Sequence, residues 1–212
     1  MLKGSLFLTF EGMDGSGKTT QMRRLAERLR AHGREVLETA EPGGTRIGAE
    51  IRRILLDAAN QDLRPGAEML LYFACRAQNV DEWIMPALTA GKVVLSDRFT
   101  DSTLVYQGCG RGLGAETVMT LDRIACQGLK PELTLLIDID AETSLARARA
   151  RNATARHSET RMDEQSLEFH RQVYDAYHAL AASEPQRFRI FDGRAPIGAI
   201  ADEIWKVVEP YV

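Results

Sequence analysis

The run Gly12-Met13-Asp14-Gly15-Ser16-Gly17-Lys18-Thr19 constrains this chain more than any other segment. It follows the apolar stretch Leu6–Phe10 and opens onto Met22, Leu25, Ala26 and Leu29, which recur at helical spacing. Strand, glycine loop and helix in that order form a phosphate cradle. Glycines let successive backbone N–H groups turn toward an anion, and the helix presents the positive end of its dipole. The spacing G-x-x-x-x-G-K-[ST] assigns Gly12, Met13, Asp14, Gly15, Ser16, Gly17, Lys18, Thr19 and the following Thr20 to a nucleoside triphosphate. Lys18 is expected to reach the β- and γ-phosphates, and the Thr19 hydroxyl to hold Mg2+.

Further apolar runs predict strands over Val36–Thr39, Val93–Ser96, Leu133–Asp138 and Phe188–Asp192. Short apolar strands alternating with helices predict a five-stranded parallel sheet covered on both faces. Gly33 is placed to end the first helix. Ile47, Ile51, Ile54 and Leu55 have the spacing of one buried stripe; Ile197, Ile200, Ile204 and Val207 repeat it behind Pro196, which fits a first helical turn. The length of 212 residues suits one domain, with no repeat or linker. Ligands of such sheets bind beyond the carboxyl ends of the strands, where Asp14, Glu41 and Asp97 are expected to emerge.

Val93-Val94-Leu95-Ser96-Asp97-Arg98 reads as a buried strand delivering a carboxylate for Mg2+ and, beside it, a guanidinium for a second phosphate. Five arginines, Arg147, Arg149, Arg151, Arg156 and Arg161, crowd one segment. Arg147 and Arg151 share a helix face while Arg149 points elsewhere, and Asn152-Ala153-Thr154-Ala155 reads as a flexible break. Helical spacing resumes at Leu167, Val173, Tyr177 and Leu180. Helix, arginine-bearing segment and helix suit a closing lid over about 147–162. A solvated charged face is the plain alternative. Tyr72 with Phe73 is open between core and a base-stacking platform; Arg76 falls on the face of Tyr72. A net charge of −3 argues against a general nucleic-acid binder. Cys75, Cys109 and Cys126 lack C-x-x-C spacing and read as free thiols of an intracellular protein, and no apolar stretch reaches a membrane span.

Three blocks in order carry a resemblance. Phe10-Glu11 leading into the glycine loop, Glu41-Pro42-Gly43-Gly44-Thr45, and Asp97-Arg98-Phe99-Thr100-Asp101-Ser102-Thr103-Leu104-Val105-Tyr106-Gln107-Gly108 together resemble the thymidylate kinase family over essentially the whole chain. The resemblance implies a three-layer α/β fold of the P-loop NTPase type with a mobile lid. It also implies ATP and dTMP as substrates, Mg2+ as cofactor, a homodimer and a cytoplasmic location. By the same resemblance Asp14 approaches the acceptor's sugar. Arg52 and Arg98 hold its 5′-phosphate, with Glu41 organising the site. Tyr72 stacks on the base, Arg76 hydrogen-bonds it, and neighbouring Phe73 is counted with the substrate-binding residues. Thr103 and Gln107 face the base edge, Ser102 lines the acceptor site, and Tyr106 packs on the sugar, where a ribose 2′-hydroxyl is disfavoured. Gly15, where some members carry an arginine, goes with the type whose catalytic arginines ride on the lid: Arg149 and Arg151 here, with Arg156 a third option.

The attacking group would be an anionic phosphate oxygen, so no general base is needed, and catalysis is positioning plus charge neutralisation by Lys18, Arg98 and the lid arginines. The competing readings are another small P-loop nucleotide or nucleoside kinase, the latter with Asp97 as base, and a nucleotide-dependent switch. The chain lacks the Asn-Lys-x-Asp run that would read guanine.

Overall fold

A computed structural model describes residues 4–154 and 159–212. Five strands, β1 (Leu6–Glu11), β2 (Val36–Ala40), β3 (Val93–Asp97), β4 (Leu133–Asp138) and β5 (Phe188–Asp192), form one sheet in the order β2-β3-β1-β4-β5. Every neighbouring pair is parallel. Parallel neighbours need crossovers, and the helices supply them: α1 (Lys18–Ala31), α2 (Arg46–Leu56), α3 (Pro65–Asn79), α4 (Met85–Thr89), α5 (Thr100–Thr103), α6 (Ala115–Cys126), α7 (Ala141–Thr154), α8 (Leu167–Ser183) and α9 (Ile197–Val208). A π-helical stretch over Val80–Ile84 joins α3 to α4, and another over Leu104–Gly110 follows α5.

Alternation along β1 builds two of the layers. Leu6, Leu8 and Phe10 pack with Met22, Leu25, Ala26 and Leu29 of α1 and with Ile200, Ile204 and Trp205 of α9. Phe7 and Val94 face the other way, onto Met69 and Phe73 of α3, Ile84, and Val118 of α6. A third cluster gathers Val173 and Tyr177 of α8 with Met13, Tyr106 and Leu136.

The strands run one residue beyond their apolar patterns at Glu11, Ala40 and Asp97. The ladder continues there because backbone groups still find partners: Glu41 N donates to Asp97 O at 2.9 Å, and Arg98 N to Phe10 O at 2.9 Å. Register pairs Phe10 with Asp97 and Ala40 with Asp97, so the glycine loop, Glu41 and Asp97 leave the sheet side by side.

Three expectations need correcting. The isoleucine stripe of α2 is not buried: Ile47 is 42% and Ile54 47% exposed, and only Leu55 enters the core. On α9 the buried set is Ile200, Ile204, Trp205 and Val208, with Ile197 exposed and Pro196 at the N-cap. No break falls at Asn152–Thr154, which continues α7. Gly33, with φ +79°, does follow the end of α1 at His32.

Candidate active site

The strand ends open into a cavity of about 620 Å3, within the usual range for small-ligand sites. Its floor is the glycine loop. Gly12 has φ +131°, and a Cβ there would lie 2.3 Å from Ile137 O, so only glycine lets the loop leave β1 against β4. Gly15 has φ +74°, and a Cβ would lie 2.8 Å from Arg147 Cβ. With α7 packed this closely, a larger residue at position 15 requires α7 to shift.

Lys18 is buried, and its Nζ donates to Met13 O at 2.8 Å. Burial, with help from the Arg98 charge, lowers its amine to about 8 against the pull of Asp14, Asp97 and Glu11. Thr19 Oγ1 donates to Asp97 Oδ2 at 2.5 Å, and both residues line the cavity. A hydroxyl and a carboxylate meeting at the phosphate end are the hard oxygen donors Mg2+ prefers, so these residues fit that ion. Of the other loop residues, Asp14, Gly15, Gly17 and Thr20 also line the cavity. Gly12, Met13 and Ser16 sit behind it.

Arg98 is held in the left-handed region, φ 72°, at the sharp exit from β3. Such a conformation persists only where its surroundings enforce it. Ser96 Oγ donates to Arg98 O at 2.7 Å, and the side chain donates to Asp14 Oδ1 at 2.8 Å, Ser102 Oγ at 2.9 Å and Tyr177 OH at 3.2 Å. Its guanidinium lies 5.1 Å over the Tyr106 ring. Behind it the fully buried Glu11 accepts from Phe99 N at 2.8 Å, Ser102 Oγ at 2.6 Å and Tyr177 OH at 2.8 Å. Burial and then Asp101 push this carboxyl up to about 7, against the pull of Arg98.

Glu41, also buried, accepts from Arg76 Nε at 2.6 Å and Asn79 Nδ2 at 3.1 Å, and the Glu41–Pro42 bond is cis. Arg76 is 1% exposed and lies between Phe73 and Phe99, 5.0 and 5.1 Å from their centroids. Its Nη2 donates to Phe99 O and Thr103 Oγ1, but among the described residues Nη1 has no partner although Arg76 lines the cavity. A buried, unsatisfied donor beside a cavity awaits an acceptor. Arg52 from α2 donates Nη1 to Pro42 O at 2.8 Å, and its Nε and Nη2 grip Glu159 at 3.0 and 2.9 Å.

The structure therefore brings Asp14, Glu41, Arg52, Tyr72, Arg76, Asp97, Arg98, Ser102, Thr103, Tyr106 and Gln107 to one cavity. Phe73 lies elsewhere: it is buried in the α3–α6 core and supports Arg76 from beneath. The arginine cluster disperses. Arg147 reaches Gly193 O at 3.1 Å, and Arg161 is buried against Glu68 at 2.7 Å. Arg149 is exposed on α7 outside the cavity lining. The Arg151 side chain and Arg156 lie outside the described residues. Sequence reasoning missed Glu11, Asn79, Glu68 and Glu159. Only Glu11 left a signal, a carboxylate closing an apolar strand.

A profile described as "Thymidylate kinase" matches residues 10–204. The chain belongs to the thymidylate kinase family. These are ATP-dependent phosphotransferases that convert dTMP to dTDP. A thymidylate kinase of Pelobacter propionicus is 52% identical over 199 residues, 93% of this chain and 91% of that protein. One from Thermomicrobium roseum is 50% identical over 204 residues, covering 96% and 94%. Among solved structures, thymidylate kinase from Ehrlichia chaffeensis superposes with a TM-score of 0.77 at 32% identity, covering 97% of this chain and 99% of that one. This thymidylate kinase family member carries the five-stranded parallel P-loop architecture, sandwiched between helices.

Proposed function

We propose that this cavity binds dTMP and ATP together and aligns the dTMP 5′-phosphate for attack on the γ-phosphorus. The observation that carries it is the placement of two separate cationic groups. Lys18 stands at the glycine loop for the donor, and Arg98 and Arg52 line the same cavity for the acceptor. The base lies toward Tyr72 and Arg76, where the unpaired Nη1 of Arg76 meets the O4 carbonyl. Asp14 and Tyr106 flank the sugar. The acceptor oxygen is already anionic, so the chain positions and neutralises; it moves no proton. Mg2+ held at Thr19 and Asp97 would supply charge neutralisation between donor phosphates. A lid arginine, Arg149 or Arg151, completes the neutralisation, and residues 1–212 act as one domain with the lid over about 147–162.

The test is ADP release from MgATP across dTMP, dUMP, UMP, dCMP, dGMP, AMP, thymidine and a blank. Strong turnover with dTMP and almost none with UMP is expected. A preference for another acceptor overturns the roles given to Tyr72, Arg76 and Tyr106, and acceptor-independent hydrolysis alone overturns the kinase.

In the ligand-free chain the Glu159 carboxylate occupies the bidentate position on Arg52 that a phosphate needs. Glu159→Gln is therefore expected to lower the KM for dTMP about two- to fivefold, the range of a half-exposed ion pair. A raised KM in steady-state kinetics would instead make Glu159 a contributor to binding.

The exposed Ile47 and Ile54 of α2 and Leu70 of α3 supply apolar surface for a homodimer. Light scattering should give twice the mass of the chain; a monomer sinks that assignment. The reaction belongs in the cytoplasm, where both substrates arise, and among the described residues no helix is long and apolar enough to cross a membrane.

A further inference from the structure

Gln107 forms part of the cavity wall and is 1% exposed. Its Nε2 donates to Glu68 Oε1 at 2.9 Å. Glu68 belongs to the first turn of α3, is fully buried, and does not itself line the cavity. Arg111 donates to it from Nε and Nη2, each at 3.1 Å, and Arg161 Nη1 lies 2.7 Å from Oε2. Both arginines are anchored in turn. Arg161 Nε donates to Leu55 O at 2.5 Å; Arg111 Nη1 donates to Gln165 Oε1 at 2.7 Å, and its guanidinium stacks 4.9 Å over Phe169. Burial pushes the Glu68 carboxyl up, but the hydrogen bonds from Arg111 and Gln107 and the charges of both arginines outweigh it and hold the group below its usual range.

Glu68 is thus a fixed, ionised acceptor, and a carboxylate can only accept. The Gln107 amide consequently has one allowed orientation: NH2 toward Glu68, carbonyl away from it. Among the described residues the side-chain hydrogen bond of the Gln107 amide is this one to Glu68, and the residue lines the cavity.

We propose that Glu68 is a positioning residue for base selection: by holding the NH2 of Gln107 it makes Gln107 present a carbonyl acceptor to the base. Thymine and uracil offer N3–H to such an acceptor. Cytosine offers a bare N3, and two acceptors then face each other, an arrangement that leaves both polar groups unpaired. An amide free to flip would turn its NH2 to cytosine and lose this discrimination. The inference rests on the dTMP reading above and extends it to a residue that never touches the ligand.

Glu68→Gln keeps the size of the side chain but lets position 68 donate or accept, so Gln107 can take either orientation. The dTMP-to-dCMP ratio of kcat/KM is expected to fall about tenfold, the worth of one mispaired hydrogen bond. In a Gln107→Met background the same substitution should leave the ratio unmoved. A merely structural role would lower both acceptors alike in either background, and a ratio unchanged by Glu68→Gln overturns the proposal. The orientation is also readable in the unsubstituted chain. The Gln107 NH2 resonances, assigned by their loss in Gln107→Met, should exchange slowly with or without dTMP and shift little when it binds. An NH2 group that shifts strongly and gains protection only with dTMP points at the base and overturns the lock, including where Glu68→Gln does not fold. Failure of the parent reading looks different: the unsubstituted protein then shows no preference for dTMP at all.

Discussion

Lys18→Met is expected to lower kcat at least about a thousandfold while leaving the ligand-free protein more heat-stable than its parent at pH 7. The two effects have one cause. The amine is buried among groups that include Arg98, and the folded state holds it at about 8 where a free lysine sits at 10.5. Keeping it charged at pH 7 therefore costs the folded protein about 3 kcal/mol. The hydrogen bond to Met13 O returns about 1 kcal/mol of that. Methionine fills the space without the charge, so the melting temperature should rise by roughly 4–8 °C. The folded protein releases the proton first as pH rises, so the penalty fades between pH 8 and 10.5 and the two melting temperatures converge. In the closed complex the same charge has the donor phosphates as partners, and the desolvation that strains the free protein strengthens that contact. dTMP affinity should change less than about threefold, since Lys18 faces the donor side. Calorimetry across this pH range and steady-state kinetics check both halves. A variant that keeps kcat within tenfold of the parent, or that melts well below it at pH 7, contradicts the assignment.

What made Lys18 legible in the sequence was locality. Strand, loop and helix lie within 26 consecutive residues, Leu6 to Ala31, and each leaves its own periodicity or glycine signature. The phase of α3 was half legible: Tyr72 and Arg76, four apart, face the cavity together, whereas Phe73, one step round the helix, turns into the core. The rest depended on contacts that no local pattern records. Glu11 meets Tyr177 across 166 residues, and Glu68 meets Arg161 through a fold that brings α3 to the segment after α7. An arginine-rich stretch looks alike whether its members face phosphate, a backbone carbonyl or a buried carboxylate. Arg147 and Arg161 turned out to be of the last two kinds. Amphipathicity is equally silent on what covers an apolar face, which is why Ile47 and Ile54 of α2 read as core and lie at the surface.

Arg76→Met should be the most destabilising single change at the site. It removes the guanidinium from a buried pair and leaves Glu41, among the described residues, with Asn79 as its remaining side-chain donor. Burial already lifts the Glu41 carboxyl above its usual range against the pull of Arg76 and Asn79, and without Arg76 it rises further. Breaking such a pair from one side costs about 3–5 kcal/mol, or roughly 10 °C in melting temperature. The penalty belongs to the ionised carboxylate. A group whose folded value is raised loses stability as pH climbs through that value, so the defect should be largest at pH 8 and shrink toward pH 5. Replacing both partners, Arg76→Met with Glu41→Gln, removes the stranded charge, keeps an acceptor for Asn79, and should restore most of the lost stability at pH 8. It should not restore function. Nη1 of Arg76 is the donor with no partner among the described residues, and kcat/KM for dTMP should stay about a hundredfold down in the double variant as in the single one. Recovery of activity along with stability would mean that Arg76 serves Glu41 alone. Stability without activity in the double variant, with Glu41→Gln alone retaining turnover, is the result that places the Arg76 N–H on the base.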